Sequence, residues 1–285
     1  MRVILVPVAN RPESSRALDS AFDLGQRLGA DVIGCHIRPH RESEVRMPSL
    51  MRSSGADWQA LTKGWNAERL SADAEDLFRA RAERAGYRVA RKPAADGEPV
   101  AIFQTRVGSP DKLMPIIGPT SDLLVLSRPS GRGGKLASLF LMEALLHACR
   151  PLLVLPQQRV VKPARNVLIA WNQSAEASET VGMCMSLLTA ADSVGIAVSG
   201  REGGLGPKAS HLQRYLAHHR IEAEIYRGRG RDTASDIESA YAKQGADVLL
   251  MGAYSRHRLR ELIFGGLTDH MLRRSKLPVL MYHSG

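Results

Sequence analysis

The sequence predicts an α/β protein in which two copies of one module follow each other along the chain. Short apolar segments alternate with segments of helical periodicity, a pattern typical of parallel strands joined by right-handed crossover helices. This alternation occurs twice, and a length of 285 residues suits two domains of ordinary size. We therefore expect two open parallel sheets, each of five strands and each covered by helices on both faces.

The duplication is visible when the two halves are compared directly. The segment Asp122–Leu126 resembles Asp247–Met251, and Pro151–Leu155 resembles Pro278–Tyr282. Apart from Asp122 and Asp247 at their first positions, these segments are apolar, as expected for strands that are buried on both faces of a sheet. The predicted strands of the second copy lie near residues 166–171, 194–199, 221–226, 247–251 and 278–282.

The predicted domains are residues 1–156 and 165–285, and the short polar segment 157–164 is predicted to link them because it has neither strand nor helical periodicity. The first domain contains an insertion at about residues 41–66, ahead of a long charged helix from about Ala67 to Gly86. Tryptophans at positions 58 and 65 lie at helical spacing within this insertion. We interpret the apolar stripe as packing against its own domain, with a lid, a partner surface or a membrane contact as alternatives.

A glycine-rich basic loop follows the fourth strand of the second copy. The chain reversal is predicted to begin at Gly252, and Gly265 and Gly266 precede an apolar helical pattern that starts at Leu267. Unpaired backbone N–H groups and the positive end of a helix favour an anion at such a junction. Alternatively, these glycines only permit the turn and a close packing of the helix.

The spacing of these glycines resembles the nucleotide-binding loop of the universal stress protein family. In that loop a Gly is followed after two residues by a second Gly, after nine more by a third Gly, and then by Ser or Thr. Gly252 and Gly265 match, whereas Ser255 takes the second glycine position and Gly266 takes the hydroxyl position. Thr268 is close enough in sequence to supply the missing hydroxyl. The resemblance covers nearly the whole chain, as a tandem of two modules.

The resemblance implies Rossmann-like sheets of strand order 3-2-1-4-5. It also implies that the two modules pair along their last strands as an intramolecular pseudo-dimer, and it leaves a homodimer open. The implied ligand is an adenine nucleotide, ATP with Mg²⁺, in the second domain of a cytoplasmic stress-response regulatory protein. The implied binding residues are Asn172, which takes the place of an Asp at the end of the first strand, with Gly252, Ser255, Gly265, Gly266 and Thr268.

Two other functions stay open. The first is a scaffold of the same fold that binds no nucleotide, since the family contains such members. The second is an enzyme that hydrolyses ATP or transfers a nucleotidyl group, which needs a base or a metal-holding carboxylate near the loop. Glu261 and Asp269 are the nearest carboxylates in sequence. We assign no catalytic residue and no metal ligand, because the nine histidines lack the spacing of a zinc site.

The basic residues, the cysteines and the apolar segments indicate which partners and which compartment to expect. The formal charge is +10, but it forms no basic tail, so we expect no nucleic-acid partner. Two arginine clusters, Arg227–Arg231 and Arg256–Arg260, are predicted to lie at the carboxyl edge of the second sheet, either as solvated loop charges or as a means of concentrating an anionic ligand.

The three cysteines lack paired spacing, which indicates a reduced compartment. No apolar segment is long enough to span a membrane, so we expect no membrane association.

Overall fold

The structure, a computed structural model, describes residues 1–38, 66–129, 134–157, 162–203, 205–253 and 266–283. The chain folds into two compact units, Met1–Arg150 with Gln157–Val160 and Pro151–Pro156 with Val161–Gly285. The predicted insertion at about 41–66, except for its last residue, lies outside the described residues.

Among the residues described, the first unit contains a parallel sheet of five strands in the order β3-β4-β2-β1-β5. The helix predicted from about Ala67 to Gly86 is observed as α2. The edge strand β3 has only three residues and was not predicted. The strands are β1 (Val3–Pro7), β2 (Asp31–Arg38), β3 (Arg88–Ala90), β4 (Val100–Val107) and β5 (Leu123–Ser127), and the helices are α1 (Pro12–Leu28), α2 (Ala67–Arg84), α3 (Pro110–Ile117) and α4 (Gly134–His147), with a 3₁₀ turn at Gly118–Thr120.

The described part of the second unit contains six strands in the order β6-β11-β10-β7-β8-β9. All neighbouring strands are parallel except β6 and β11, which pair antiparallel. The strands are β6 (Leu152–Leu155), β7 (Asn166–Ala170), β8 (Ser193–Ser199), β9 (Ala223–Gly228), β10 (Val248–Gly252) and β11 (Val279–Tyr282), and the helices are α5 (Ala175–Met183), α6 (Met185–Thr189), α7 (Ala209–His218), α8 (Thr233–Gln244) and α9 (Leu267–Arg273).

The predicted strand order is confirmed. Strands β7 to β11 follow the order 3-2-1-4-5, and β1, β2, β4 and β5 follow the order of the first four strands of that scheme. The fifth strand of the first copy, β6, is grouped with the second unit, where it pairs with β11. The predicted fold class of two tandem parallel α/β sheets is therefore correct.

Two aspartates show that the sequence repeat is also a structural repeat. Asp122, just before β5, accepts a hydrogen bond from Val3 N at 3.0 Å. Asp247, just before β10, accepts one from Asn166 N at 3.0 Å. Each carboxylate thus holds the first strand of its copy beside the fourth strand, through hydrogen bonds strengthened by the charge of the acceptor.

The strands at the centre of each sheet form the core. Every residue of β5 is buried, as are Val248–Met251 of β10, because helices cover both faces of a parallel sheet. Strand β7 lies between β10 and β8. This arrangement places the carboxyl ends of β7 and β10 side by side, at the point where the chain connections leave in opposite directions.

Candidate functional site

A cleft of about 350 Å³ lies at the carboxyl ends of β7, β8 and β10. This volume falls within the range of about 300–1,000 Å³ that is usual for small-molecule sites. The position agrees with the general location of ligands in open α/β sheets. The residues that line it are Ala170, Trp171, Asn172, Gln173, Ser174, Glu176, Val198, Ser199, Arg201, Glu202, Thr233, Ile237, Met251, Gly252, Ala253, Leu267 and Thr268.

The structure brings together three of the six residues expected to bind nucleotide. Asn172, Gly252 and Thr268 all line the cleft. Gly266 precedes α9 directly but is not part of the lining. Ser255 and Gly265 lie outside the described residues, as do the three arginines Arg256, Arg258 and Arg260.

Asn172 follows β7 in a turn whose neighbouring residues are hydrogen-bonded to the loop after β8. Its Oδ1 accepts a hydrogen bond from Ser174 N at 3.2 Å, and its side chain is exposed. On one side of it, Trp171 is only 4% exposed and its Nε1 donates to Pro207 O at 2.8 Å. On the other side, Gln173 has a φ of 63° and its Nε2 donates to Gly206 O at 2.7 Å. The loop after β8 is thereby fixed against the loop after β7.

Gly252 ends β10 and does not begin the chain reversal that the sequence suggested. The strand pairing continues past it, since Ala253 N donates to Tyr282 O at 2.9 Å. A Cβ at residue 252 would lie 2.8 Å from both Ala177 N and the carbonyl carbon of Glu176. The absence of a side chain therefore allows the first turn of α5 to pack directly on the strand end.

Gly266 has a backbone conformation that explains the missing hydroxyl. Its φ of 77° and ψ of −158° lie in a region that is essentially restricted to glycine. A Ser or Thr with the same backbone would be strained, so the family's hydroxyl does not fit here. Thr268, which is 9% exposed, lines the cleft, and within the described parts of the chain no hydrogen bond occupies its hydroxyl.

Glu202 is the best-connected carboxylate of the cleft. Arg227 Nη1 lies 2.7 Å from Glu202 Oε2, and Ala209 N donates to Oε1. Burial raises the pKa of the Glu202 carboxyl. The hydrogen bonds from Ala209 and Arg227 together lower it by more than burial raises it, so the pKa lies below the usual value. Glu202 is therefore ionised at neutral pH and neutralised by Arg227.

The backbone of the Arg227–Arg231 cluster is occupied by a carboxylate of the same unit. Asp236 of α8 accepts hydrogen bonds from Arg229 N at 3.1 Å, Gly230 N at 2.7 Å and Ser199 Oγ at 2.7 Å. These hydrogen bonds, that of Ser199 first, hold the pKa of Asp236 below its usual value. The chain's own carboxylate thus fills the anion position of this loop.

The glycines of the same loop serve close packing. A Cβ at Gly230 would lie 2.6 Å from the Cα of Gly200, and a Cβ at Gly228 would collide with the side chain of Asp236. Sequence reasoning assigned no role to Asp236 or Ser199. The two glycines at and just after the end of β9 were a usable signal, because glycine there indicates a close approach of another backbone or side chain.

The corresponding position of the first unit is much smaller. A hole of about 90 Å³ lies there, lined largely by apolar atoms from residues such as Val8, Leu126 and Phe140. Ala9 occupies the position of Asn172, and Ser127 that of Gly252. The hydroxyl of Ser127 donates to Glu13 O at 2.8 Å, so its hydrogen-bond donor is used within the unit.

Within the described residues, no group of three or more His, Cys, Asp or Glu side chains is arranged to hold a metal ion. Among the helices described, none has both the length and the apolar character needed to cross a membrane.

The sequence and structure were compared with known proteins. The family model of the universal stress protein family matches residues 1–116 and 184–283. No curated protein matches the sequence. The structure is similar to that of a universal stress protein from Archaeoglobus fulgidus DSM 4304, with a TM-score of 0.70 and 14% identity over 99% of this chain and 98% of that one. It is also similar to a functionally unknown protein from Pseudomonas aeruginosa PAO1, with a TM-score of 0.53 and 13% identity over 99% of this chain and 92% of that one. At these identities the likenesses show the fold.

Proposed function

Because this chain belongs to the universal stress protein family, we propose that its second unit binds an adenine nucleotide, ATP, in the cleft at the ends of β7 and β10. The stress-response role and the cytoplasmic location expected from the sequence belong to the same proposal. In this role the protein senses the nucleotide and passes its occupancy on to partners.

The observation that carries the proposal is the combination of apolar walls and a polar rim in one cleft of suitable size. Val198, Ile237 and Met251 supply apolar surface, and Asn172 and Thr233 supply hydrogen-bonding groups at its edge. Small-molecule sites combine apolar surface with polar groups that fix orientation, and in this cleft polar atoms form the larger part of the lining. Such a mixed lining fits the face of a base and, in particular, the hydroxyl groups of a sugar.

Asn172 is the residue best placed to recognise the sugar. Its amide offers both an acceptor and two donors, and its Oδ1 is already engaged by Ser174 N at 3.2 Å. Within the part of the chain that the structure describes, no hydrogen bond occupies the side-chain NH₂. We therefore assign to Asn172 a hydrogen bond from its NH₂ to a ribose hydroxyl, a role that requires no negative charge.

The phosphates belong at the opposite side of the cleft, next to α9. Thr268 lines that side and offers a hydroxyl donor. Ser255 and Gly265 remain assigned to the phosphates by the spacing of the family loop. Mg²⁺ would accompany ATP there, because it usually binds together with substrate phosphates and few protein ligands.

Two measurements on the full-length chain test the proposal. Mass spectrometry of small molecules released from gently purified protein is expected to detect an adenine nucleotide. Addition of ATP and Mg²⁺ to nucleotide-free protein is expected to raise the unfolding temperature, because a ligand that binds only the folded state stabilises it. Asn172→Ala should reduce this shift, whereas Asn10→Ala, in the corresponding loop of the first unit, should leave it unchanged.

A nucleotide-free scaffold is the second candidate, and one observation favours it. The glycine at position 252 is explained by the packing of α5 on β10, so this part of the family spacing does not require a phosphate. No released nucleotide and no thermal shift with ATP and Mg²⁺ would support the scaffold and contradict nucleotide binding.

A further inference from the structure

We propose that Arg201 binds a phosphate group on the sugar of the nucleotide, so that the preferred ligand carries a 2′- or 3′-phosphate in addition to its 5′-phosphate. This inference rests on the proposed function, because it assigns a ligand class to the same cleft. It concerns the side of the cleft away from the glycine-rich loop.

The position of Arg201 in the sheet places it on the sugar side. It is the second residue after β8, the strand that lies next to β7, and it lines the cleft. In dinucleotide-binding α/β folds of the same doubly wound type, an acidic residue downstream of the phosphate loop bonds the ribose 2′-hydroxyl, whereas an arginine nearby accommodates a phosphate on that hydroxyl. An arginine in this place is therefore expected to favour a phosphorylated sugar.

The charge of Arg201 is not used by the protein around it. Its neighbour Glu202 is already engaged by Arg227 at 2.7 Å and by Ala209 N. Asp236 is engaged by Ser199 and by the backbone of the loop after β9. Across the described ranges Arg201 forms no ion pair, and its side chain is exposed.

The backbone at Arg201 is held in place on both sides, so the side chain extends from a fixed position. On one side, Gly200 lies against Gly230 so closely that a Cβ at residue 200 would be 3.2 Å from the Cα of Gly230. On the other side, Glu202 is fixed by its two bonds. An immobile attachment lowers the conformational entropy lost on binding.

Thr233 supplies a second donor in the same region. Its Oγ1 lies 3.5 Å from Ser199 Oγ and lines the cleft together with Arg201. A planar guanidinium binds two phosphate oxygens at once, and a hydroxyl can donate to the third. The pair thus matches the chemistry of a phosphate monoester better than that of an uncharged hydroxyl.

The test is calorimetric titration of the full-length chain with AMP, adenosine 2′,5′-bisphosphate and adenosine 3′,5′-bisphosphate. We expect one bisphosphate to bind about tenfold more tightly than AMP, which corresponds to one charge-assisted contact. In Arg201→Gln, that bisphosphate and AMP should have dissociation constants within about twofold of each other. The matched control is Arg229→Gln, since Arg229 is exposed on the neighbouring loop and lies outside the lining; it should retain the tenfold preference. Thermal unfolding checks that each variant is folded.

Several outcomes would overturn the inference. If AMP and both bisphosphates bind the parent equally, Arg201 has no sugar phosphate to recognise, although the proposed function stands. If Arg229→Gln loses the preference as well, general charge attraction explains it. If the parent binds no adenine nucleotide at all, the proposed function fails and the inference falls with it.

Discussion

Gly252, the last residue of β10, lies against Glu176 in the first turn of α5, where a Cβ on residue 252 would be 2.8 Å from the carbonyl carbon of Glu176. This distance is shorter than side-chain atoms tolerate, so the strand and the helix approach each other only because residue 252 is glycine. The same approach sets one wall of the cleft.

Gly252→Ala is therefore expected to destabilise the protein by about 1–3 kcal/mol, the usual cost of overpacking. The urea midpoint of the full chain, followed by circular dichroism, measures the effect. Gly182→Ala is the control: Gly182 lies in α5, is exposed, and a Cβ there would meet no atom within 4 Å. That substitution should stabilise by up to about 1 kcal/mol. An unchanged midpoint for Gly252→Ala would show that α5 moves away easily.

Introducing the hydroxyl residue of the family at position 266 should lower the stability of the protein. Gly266→Ser would force a serine to a φ of 77° and a ψ of −158°, at a cost of about 1–3 kcal/mol. The control is Gly203→Ser, because a Cβ at Gly203 meets nothing within 4 Å and its φ is not in the left-handed region. We expect the urea midpoint to fall for the first variant and to stay nearly constant for the second. Equal midpoints, with tighter ATP binding in Gly266→Ser, would contradict this account of the loop.

The hydrogen bonds of Asp236 predict an acid-sensitive loop after β9. The pKa of Asp236 is lowered from an ordinary value of 3.8, so the folded state binds its proton less readily than the unfolded chain does. Its contribution to stability is therefore present above pH 3.8 and is lost as the pH falls through the lower folded-state pKa. Asp236→Asn should lower the unfolding temperature at pH 5–7, and the difference from the parent should shrink below about pH 4.

Glu222→Gln is the control for this pH series. Glu222 is exposed and lies just before β9, so its removal should change the unfolding temperature little at any pH. A difference between Asp236→Asn and the parent that stays constant down to pH 2 would show that the charge of Asp236 is not what holds the loop.

Trp171 is expected to control the mobility of the loop after β8. Trp171→Phe keeps an aromatic ring but removes the N–H that donates to Pro207 O at 2.8 Å. Hydrogen exchange of the amides at 205–209 should then become faster, because this hydrogen bond helps to hold the loop closed. Tyr215→Phe, at an exposed hydroxyl on α7, should leave exchange unchanged. Unaltered exchange in Trp171→Phe would mean that the bond from Gln173 to Gly206 suffices alone.

The fold was largely predictable from the sequence because it follows from local patterns. Continuous apolar segments such as Val248–Met251 and their repetition in both halves indicated parallel strands, and all five predicted strands of the second copy are observed. The three-residue strand β3 was missed because only its pairing with β4 defines it. The pairing of β6 with β11 depends on contacts between residues far apart in sequence, so the local apolar pattern of β6 does not specify its partner.

The site was less predictable because glycine has more than one physical role. Spacing assigned Gly252 to a phosphate loop, but it did not indicate that the missing side chain also lets the backbone of α5 pack closely on the strand. Similarly, the arginine cluster after β9 drew attention to side-chain charge, but the sequence did not indicate that Asp236, eight residues after β9 ends, binds the backbone of that loop. Asn172 was identified correctly as a residue of the cleft, because position at the end of the first strand determines its place.

The most direct test of the central claim is hydrogen exchange of the full chain, followed by mass spectrometry, with and without ATP and Mg²⁺. A nucleotide in the cleft of the second unit should slow exchange in peptides that cover 170–174, 199–202 and 251–253, and should leave 7–11 and 126–128 of the first unit unchanged. No slowing in either unit at saturating ATP, or slowing confined to the first unit, would contradict the account.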